Sequence, residues 1–167
     1  MSTIRPASPE EAATITDLVW RSKAHWGYDA PFMDAHRGPL TVTPAYLIDN
    51  LAYVLIDQEG VRGFYSLVAH SGLLVELDNL FIDPRAIRMG YGRQLFSHAV
   101  ETARRLGYQT LQLTSDPHAE GFYLAMEARR IGEQPSTIIP GRYLPLFRYK
   151  LSPTNEDEED IYDEADM

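Results

Sequence analysis

Residues 84–95 read PRAIRMGYGRQL, and this stretch decides how the chain folds and what it binds. The apolar run LDNLFI at 77–82 precedes it and predicts a strand, and apolar residues recur at helical spacing from Leu95 onward. The stretch is therefore a loop that joins a strand to the start of a helix. The first amides of a helix have no internal partners and carry the positive end of the helix dipole, so such a loop suits an anion.

Two glycines and three arginines make this loop suited to bind an anion. Gly90 and Gly92 allow close backbone approach to a pyrophosphate, and Arg85, Arg88 and Arg93 are available to add positive charge. The alternative for a lone Gly-x-Gly is a tight turn with solvated arginines. Two nucleotide motifs do not match. A Walker loop needs Lys followed by Ser or Thr where RQ stands, and the dinucleotide fingerprint needs a small residue where Leu stands.

Apolar periodicity and turn residues predict the order strand, helices, three strands, helix, strand, helix, two strands. The capping box at 8–11 starts the first helix, which runs to about His25. Gly107 ends the helix after the glycine loop, and Asp116 caps the next one. The fold class is therefore α/β, with a mixed sheet rather than a repeating βα array.

Composition excludes several classes of site and partner. The chain has no cysteine, which excludes disulfides and thiolate metal sites, and its five histidines show no metal-binding spacing. Its 15 basic residues form no basic helix face, so we expect no nucleic-acid partner. No apolar run is long enough for a membrane span, and the N-terminus lacks a secretory signal, so we expect a cytoplasmic protein without a membrane partner.

The charge of the chain is uneven along its length. Eight of the 24 acidic residues lie in 152–167, which leaves 16 acidic against 15 basic residues in the rest. We predict one domain over 2–151 and an acidic, disordered tail over 152–167, for which docking or self-inhibition is the alternative.

At this point a resemblance to a known family becomes specific. The stretch FIDP followed by the glycine loop resembles the acyl-CoA-binding motif of the GNAT superfamily of N-acyltransferases, with Gly90 and Gly92 at its glycine positions. The stretch DPHAEGFY at 116–123 resembles the second family motif. The order of elements agrees over residues 2–151. The resemblance implies a GNAT-like fold, with a mostly antiparallel sheet of about seven strands flanked by helices.

The resemblance implies acetyl-CoA as cosubstrate, no metal, and transfer of the acetyl group to a primary amine by direct attack in a ternary complex. The acceptor is a small-molecule amine or a protein amine, and a homodimer is a further expectation. The different interpretation is a non-catalytic acyl-CoA sensor on the same fold. The cofactor-binding residues that the family implies are Leu80, Phe81, Ile82, Ile87, Arg88, Met89, Gly90, Tyr91, Gly92, Arg93, Asp116, Ala119, Phe122 and Tyr123.

Three residues are predicted to be catalytic. Glu76 and Asp78 are two apart on a strand and therefore share a face. Glu76 also stands where some family members carry their base, so we predict it as the base, with Asp78 holding the substrate ammonium; the alternative is two solvent-facing carboxylates. Tyr123 resembles the family's general acid, and the alternative is a core aromatic residue. The acceptor pocket is predicted to involve Trp26, Tyr28, Phe32 and Arg142, with Arg142 on a carboxylate.

The sequence also departs from the family pattern. Ile87 stands where the family has Gln or Arg, and Arg88 stands where it often has Gly. Asp116 replaces Asn, and Glu127 replaces a glycine after the helix. A left-handed backbone at Glu127 would cost about 1 kcal/mol.

Overall fold

The computed structural model describes residues 1–70 and 72–151, so the predicted acidic tail lies outside the described residues. Within the described residues, seven strands form one sheet in the order β1-β2-β3-β4-β5-β7-β6. Among these seven strands, only β4 and β5 pair in parallel, and every other neighbouring pair is antiparallel. The strands are β1 Thr3–Pro6, β2 Leu51–Asp57, β3 Gly60–Ala69, β4 Leu74–Ile82, β5 Thr110–Thr114, β6 Arg129–Pro135 and β7 Tyr143–Lys150. The predicted mixed, mostly antiparallel sheet of seven strands is confirmed.

Helices cover both faces of this sheet, as predicted. One buried cluster packs α4 and α5 against the sheet around Phe96, Leu111 and Phe147, and a second packs α1 and α3 on the other face around Ile15, Val54 and Phe64. The helices are α1 Ala12–Ala24, α2 Ala30–His36, α3 Pro44–Asp49, α4 Tyr91–Arg105 and α5 Glu120–Ala125, and short 3₁₀ turns lie at Pro9–Glu11, Pro84–Ala86 and Pro117–Ala119.

Side-chain caps set the positions of the short helices. The carboxylate of Asp29 accepts a hydrogen bond from the amide of Phe32 at 2.9 Å and begins α2. The hydroxyl of Thr43 accepts from the amide of Tyr46 at 3.1 Å and begins α3, as predicted. Each of these helices also has a proline in its first turn, where the missing N–H costs nothing. The region before β2 therefore contains two short capped helices.

The sheet separates between β4 and β5. These strands pair only over 74–76 and 110–112, and from residue 77 onward β4 has no partner on that side among the described residues. A bulge lies at the same place, because Ser66 pairs with Asn79 while Leu67 pairs with Leu77, which leaves Asp78 unpaired. A bulge bends its strand and increases the local twist. The separation opens a cleft whose floor is the second half of β4.

Candidate active site

The cleft at the separation of β4 and β5 has a volume of about 720 Å³. It brings together residues that are distant in the sequence, from the end of α1 to the turn between β6 and β7. Three groups of predicted residues line it: all three predicted catalytic residues, the cofactor residues other than Met89, and two of the four acceptor residues. These are Glu76, Asp78, Leu80, Phe81, Ile82, Ile87, Arg88, Gly90, Tyr91, Gly92, Arg93, Asp116, Ala119, Phe122, Tyr123, Trp26 and Arg142.

The glycine loop presents free amides to this cleft. Gly90 precedes α4 with φ +80°, a left-handed conformation that glycine adopts without strain. Among the described residues, none accepts a hydrogen bond from the amides of residues 90–93. Arg88 also has a positive φ, +76°, where the family often has glycine. The loop therefore has the backbone geometry that an anion needs, at the positive end of a 15-residue helix.

The three arginines of the loop differ in their surroundings. Arg85 does not line the cleft, because its Nη2 donates to the buried carboxylate of Asp83 at 3.0 Å. The expectation that Arg85 adds charge to the anion site is therefore wrong. Arg88 and Arg93 do line the cleft, and no ion pair holds either of them among the described residues. Two arginines rather than three are available to an anion.

Tyr91 and Gly92 have packing roles in the loop that the sequence did not reveal. The hydroxyl of Tyr91 donates to Oδ2 of Asp57 at 2.7 Å, which ties the start of α4 to the end of β2. A Cβ on Gly92 would lie 2.9 Å from Cδ1 of Ile82 and 3.2 Å from Cε2 of Phe122. Gly92 is therefore required for close packing of α4 on β4 and α5, in addition to any role in approach to a ligand.

The two predicted carboxylates occupy one wall of the cleft, each with a partner. Glu76 contacts Nε2 of His70 through its carboxylate. Asp78 accepts a hydrogen bond from the hydroxyl of Tyr46 on α3. The bulge at Asp78 interrupts the alternation on which the shared face was predicted, but both side chains still line the cleft. The wall is anionic and partly exposed, with the Glu76 side chain 29% exposed.

Tyr46 is held tightly behind this wall. Its hydroxyl also lies 2.8 Å from Oγ of the buried Ser66, and Nδ2 of Asn79 donates to it at 3.2 Å. Burial and the hydrogen bond to Asp78 raise the pKa of Tyr46. The phenol therefore stays protonated and remains a donor, which fixes the Asp78 carboxylate in place.

A helix C-cap positions Tyr123. The amide of Ala128 donates to the carbonyl of Tyr123 at 3.0 Å, and the amide of Glu127 donates to the carbonyl of Leu124 at 3.0 Å. These two bonds form a Schellman motif with Glu127 at the left-handed position, φ +69°. The left-handed backbone considered from the sequence is therefore present, and the residue that occupies it is not glycine.

The Tyr123 ring is buried, and its hydroxyl faces the cleft. The ring lies edge-on to Phe96, Phe122 and the neighbouring core, with centroids 5.8 Å and 5.0 Å from those two rings. Among the described residues, none hydrogen-bonds to its hydroxyl, and Arg62 Nε is the only fully buried side-chain polar atom without a hydrogen-bond partner. The Tyr123 hydroxyl is thus accessible from the cleft. Burial raises the pKa of Tyr123, which keeps the phenol protonated at neutral pH.

Another part of the cleft lining carries two cations. Nζ of Lys23 lies 2.6 Å from Oδ2 of Asp116, and Nη2 of Arg142 lies 3.7 Å from the same oxygen. Burial raises the pKa of Asp116, but the hydrogen bond and charge of Lys23 outweigh that effect and leave it well below its ordinary value. Burial lowers the pKa of Lys23 despite its anionic partner. We call Lys23, Asp116 and Arg142 the basic wall.

Aromatic rings support the basic wall from behind. Tyr28 and Phe32 do not line the cleft, although both were predicted to do so. Their stacked rings lie 3.8 Å apart, with Lys23 5.2 Å and 5.7 Å and Arg142 5.2 Å and 4.7 Å from the two centroids. They therefore hold the cations instead of meeting the acceptor. Trp26 does line the cleft, stacked on His118 at 4.9 Å.

Sequence reasoning missed several residues of this site. Lys23 stands in the last turn of α1 and His70 follows β3, and neither belongs to a motif. Tyr46 likewise belongs to no motif, and His118 lies within the stretch at 116–123 but was given no role there. Their only signal is contact across the fold, since the Lys23–Asp116 pair spans 93 residues of chain. By contrast, Asp116 was expected as a cofactor residue, and its carboxylate lies in the basic wall.

The comparisons with known proteins agree with this geometry. A family model described as the acetyltransferase (GNAT) family matches residues 14–127, more than half of the chain. This protein belongs to the GNAT acetyltransferase family. The resemblance on which the two motifs were interpreted is thus confirmed, and acetyl transfer is the general activity of the family. None of the curated protein sequences compared with the chain matches it.

Solved GNAT structures share the fold at low identity. A GCN5-related N-acetyltransferase from Rhodopseudomonas palustris is 18% identical with a TM-score of 0.75, covering 90% of this chain and 96% of that one. The PaiA N-acetyltransferase from Thermoplasma acidophilum, solved with coenzyme A, is 16% identical with a TM-score of 0.69, covering 90% and 99%. YncA from Salmonella typhimurium, solved with its cofactor acetyl-CoA, is 20% identical with a TM-score of 0.66, covering 92% and 96%.

Within residues 1–70 and 72–151, no group of three or more His, Asp or Glu side chains is arranged to hold a metal ion. In the same part of the chain, none of the helices combines the length and apolar character that crossing a membrane requires.

Proposed function

We propose that this GNAT protein transfers the acetyl group of acetyl-CoA to a primary amine by direct attack in a ternary complex. One observation carries the proposal. A single cleft brings together the free amides at the start of α4, the carboxylates of Glu76 and Asp78, and the accessible hydroxyl of Tyr123. The amides anchor the anionic cosubstrate, and aminolysis of its thioester uses a base for the amine and an acid for the departing sulfur.

The residues present fit acetyl-CoA. The amides of residues 90–93 point to an anion site at a helix N-terminus, and Arg88 and Arg93 flank it without ion-pair partners among the described residues. Beyond residue 76, the free side of β4 offers the backbone of Leu80, Phe81 and Ile82 for strand-like pairing with an extended pantetheine arm. Ile87, Ala119 and Phe122 supply apolar surface beside this path.

When bound, acetyl-CoA supplies an acetyl thioester whose carbonyl carbon is attacked by an amine and whose C–S bond then breaks. Glu76 removes the proton from the acceptor ammonium, directly or through one water molecule. His70 contacts the same carboxylate and orients it toward the cleft. Asp78, fixed by Tyr46, holds the ammonium group before it loses its proton. These two carboxylates separate the tasks of binding the amine and activating it.

Tyr123 returns a proton to the departing sulfur. Its raised pKa keeps the phenol protonated. Among the described residues, none hydrogen-bonds to its hydroxyl, so donating the proton to the sulfur breaks no existing hydrogen bond. The Schellman motif at the end of α5 fixes the backbone from which the ring projects. Tyr123 is then restored by proton exchange with solvent.

The test combines acetyl-CoA binding with turnover. Binding is measured as a rise in melting temperature, since a ligand at 100 times its Kd adds about 2.7 kcal/mol. Turnover is measured as release of free thiol with a panel of amines. We expect both, with Glu76→Gln bound but inactive. Binding without turnover on any amine would support the acyl-CoA sensor instead, and no thermal shift at millimolar acetyl-CoA would exclude the cofactor.

A further inference from the structure

The lining of the cleft carries groups of both charges. It includes the carboxylates of Glu76 and Asp78 on β4 and also the basic wall. Within the basic wall, two cations share one carboxylate, because Lys23 and Arg142 both approach Oδ2 of Asp116. That wall therefore keeps an excess positive charge in a partly enclosed space, where charge interactions are stronger than in bulk water.

The carboxylate of Asp116 has no capacity left to neutralise the second cation. Oδ2 accepts from Lys23 at 2.6 Å and from the hydroxyl of Tyr28 at 2.8 Å. Oδ1 accepts from the amide of His118 at 2.9 Å and lies 2.8 Å from Nδ1 of that residue. The nearest contact of Arg142 with this carboxylate is longer, at 3.7 Å. Lys23 is thus the partner of Asp116, and Arg142 is the cation left over.

Arg142 has unused donors that face the cleft. The only hydrogen bond of its guanidinium to a described residue goes from Nη2 to the hydroxyl oxygen of Tyr28 at 2.8 Å, although a guanidinium has five N–H donors. Arg62 Nε is the only fully buried polar side-chain atom without a hydrogen-bond partner in the described part of the chain, so the unpaired nitrogens of Arg142 are accessible. Stacking on Phe32 and Tyr28 fixes the plane of the guanidinium.

The backbone also holds Arg142 in place. The carbonyl of Arg142 accepts from the amide of Ser136 at 2.7 Å, and its amide donates to the carbonyl of Ile139 at 3.3 Å. The turn between β6 and β7 is therefore closed around this residue. A planar cation held by rings and by a closed turn, with free donors toward a cleft, matches the fork geometry that recognises a carboxylate.

From these contacts we propose that the acceptor is an amino-carboxylate: a primary amine that also carries a carboxylate. The ammonium group lies toward Glu76 and Asp78, and the carboxylate lies on Arg142 across the cleft. The proposal rests on the proposed function and specifies its substrate class. It disfavours polyamines, whose second cation would meet the basic wall.

The test is a matched panel of acceptors at saturating acetyl-CoA. The panel contains amino-carboxylates of increasing chain length, the carboxamide of each, an aminoalkyl phosphonate, a polyamine, and a short peptide with a free N-terminus and an amidated C-terminus. We expect kcat/KM for the best carboxylate to exceed that for its carboxamide by at least about tenfold, because hydrogen bonds between charged groups contribute roughly 1.5–3 kcal/mol.

Substitution of Arg142 connects the preference to the residue. In Arg142→Gln, the ratio of kcat/KM between carboxylate and carboxamide should fall toward one, and Arg142→Lys should restore part of it. The control Arg130→Gln removes an arginine on β6 that pairs with Glu120 on α5, outside the cleft, and should keep the wild-type ratio. Thermal melts of each variant with acetyl-CoA confirm that it is folded and binds its cosubstrate.

The outcomes separate the two proposals. Equal or faster turnover of the carboxamide, the polyamine or the blocked peptide would overturn the amino-carboxylate and leave the acetyltransferase in place. A preference for the phosphonate over every carboxylate would also overturn it. If the preference for the carboxylate remained in Arg142→Gln, Arg142 would not be the residue that binds the substrate carboxylate. No turnover on any amine, with acetyl-CoA bound, would overturn the proposed function together with the acceptor.

Discussion

Nζ of Lys23 lies 2.6 Å from Oδ2 of Asp116 and joins the last turn of α1 to the 3₁₀ turn that precedes α5. Both side chains are nearly buried, with exposed fractions of 11% and 13%. A buried ion pair gains attraction but loses hydration, so its net contribution is small while the loss of one partner is costly. The pair therefore holds together two elements that border the cleft.

Asp116→Asn tests the contribution of this ion pair to stability. The amide keeps a side-chain oxygen to cap the turn at 117–119 but removes the charge, which leaves Lys23 buried without an anion. We expect a loss of about 3 kcal/mol in the free energy of unfolding, measured by urea denaturation. The control Asp34→Asn removes an exposed partner of Arg37 and should leave the free energy nearly unchanged. Equal effects of the two changes would mean that the Lys23–Asp116 pair is not a buried contact.

Glu127→Gly should stabilise the protein by about 1 kcal/mol. Glu127 has φ +69° after α5 and its side chain is exposed, so the substitution removes strain without removing a contact seen in the structure. The matched change is Gly107→Glu, because Gly107 has φ +89° in the equivalent position after α4. That variant should lose a similar amount in the same denaturation experiment. If neither variant increased the free energy of unfolding, or if both decreased it, the backbone at these helix ends would be adjusting to the residue that occupies it.

The elements of this fold were predictable because each has a local signal. Asp116 with Pro117 marks a helix start, Gly107 marks a helix end, and Gly90 marks the bare loop, all from neighbouring residues alone. Contacts of Lys23 with Asp116 and of Tyr46 with Asp78 join segments far apart in the chain, and packing decides them. The sequence therefore supported the cofactor loop better than the acceptor wall.

The bulge in β4 shows the same limit. Strand period predicted a shared face for Glu76 and Asp78, and both side chains line the cleft. Asp78 is nevertheless the extra residue of a bulge in the pairing of β4 with β3. No residue near Asp78 predicts that bulge, because it depends on how β4 pairs with its neighbours in the sheet.

The cofactor loop predicts different effects for its arginines. Arg88→Gln and Arg93→Gln should each weaken acetyl-CoA binding about tenfold, since both line the cleft and a hydrogen bond to a charged group contributes roughly 1.5–3 kcal/mol. Arg85→Gln should not, because Arg85 pairs with Asp83 outside the cleft. Titration calorimetry measures the Kd for acetyl-CoA of each variant, and the measurement is repeated over a series of salt concentrations. If all three variants bind like the wild type, backbone amides alone hold the anion.

Stability should fall as the pH falls below about 6.5, the ordinary pKa of histidine. Burial lowers the pKa of His98, whose Nδ1 lies 2.6 Å from the hydroxyl of Tyr65, and burial also lowers the pKa of His36. The unfolded chain then binds protons that the folded chain does not, so the free energy of unfolding decreases with decreasing pH. The contribution of these two histidines to the free energy of unfolding should be fully retained above that pH. His98→Gln should give a shallower slope between pH 7.5 and 5.5, whereas His25→Gln, an exposed residue, should keep the wild-type slope.

Tyr123→Phe tests the proposed acid most directly. The ring remains against Phe96, Phe122 and Phe147, so the melting temperature and the Kd for acetyl-CoA should barely change. Only the phenol proton is lost. A general acid commonly contributes about 10² to 10⁴-fold, and we expect the low end or below, because an alkyl thiol with a pKa near 8.5 leaves tolerably well as thiolate.

The loss should appear in kcat, because the proton matters as charge develops on sulfur and not when the cosubstrate binds. It should also shrink as the pH rises toward the thiol pKa, where the sulfur needs protonation less. Steady-state rates from pH 6.5 to 9 for the wild type and Tyr123→Phe, with Glu76→Gln as the comparison, measure both effects. Full kcat in Tyr123→Phe with an inactive Glu76→Gln would make Tyr123 a packing residue and leave sulfur protonation to water. Full activity in both variants would move the chemistry to other side chains of the cleft.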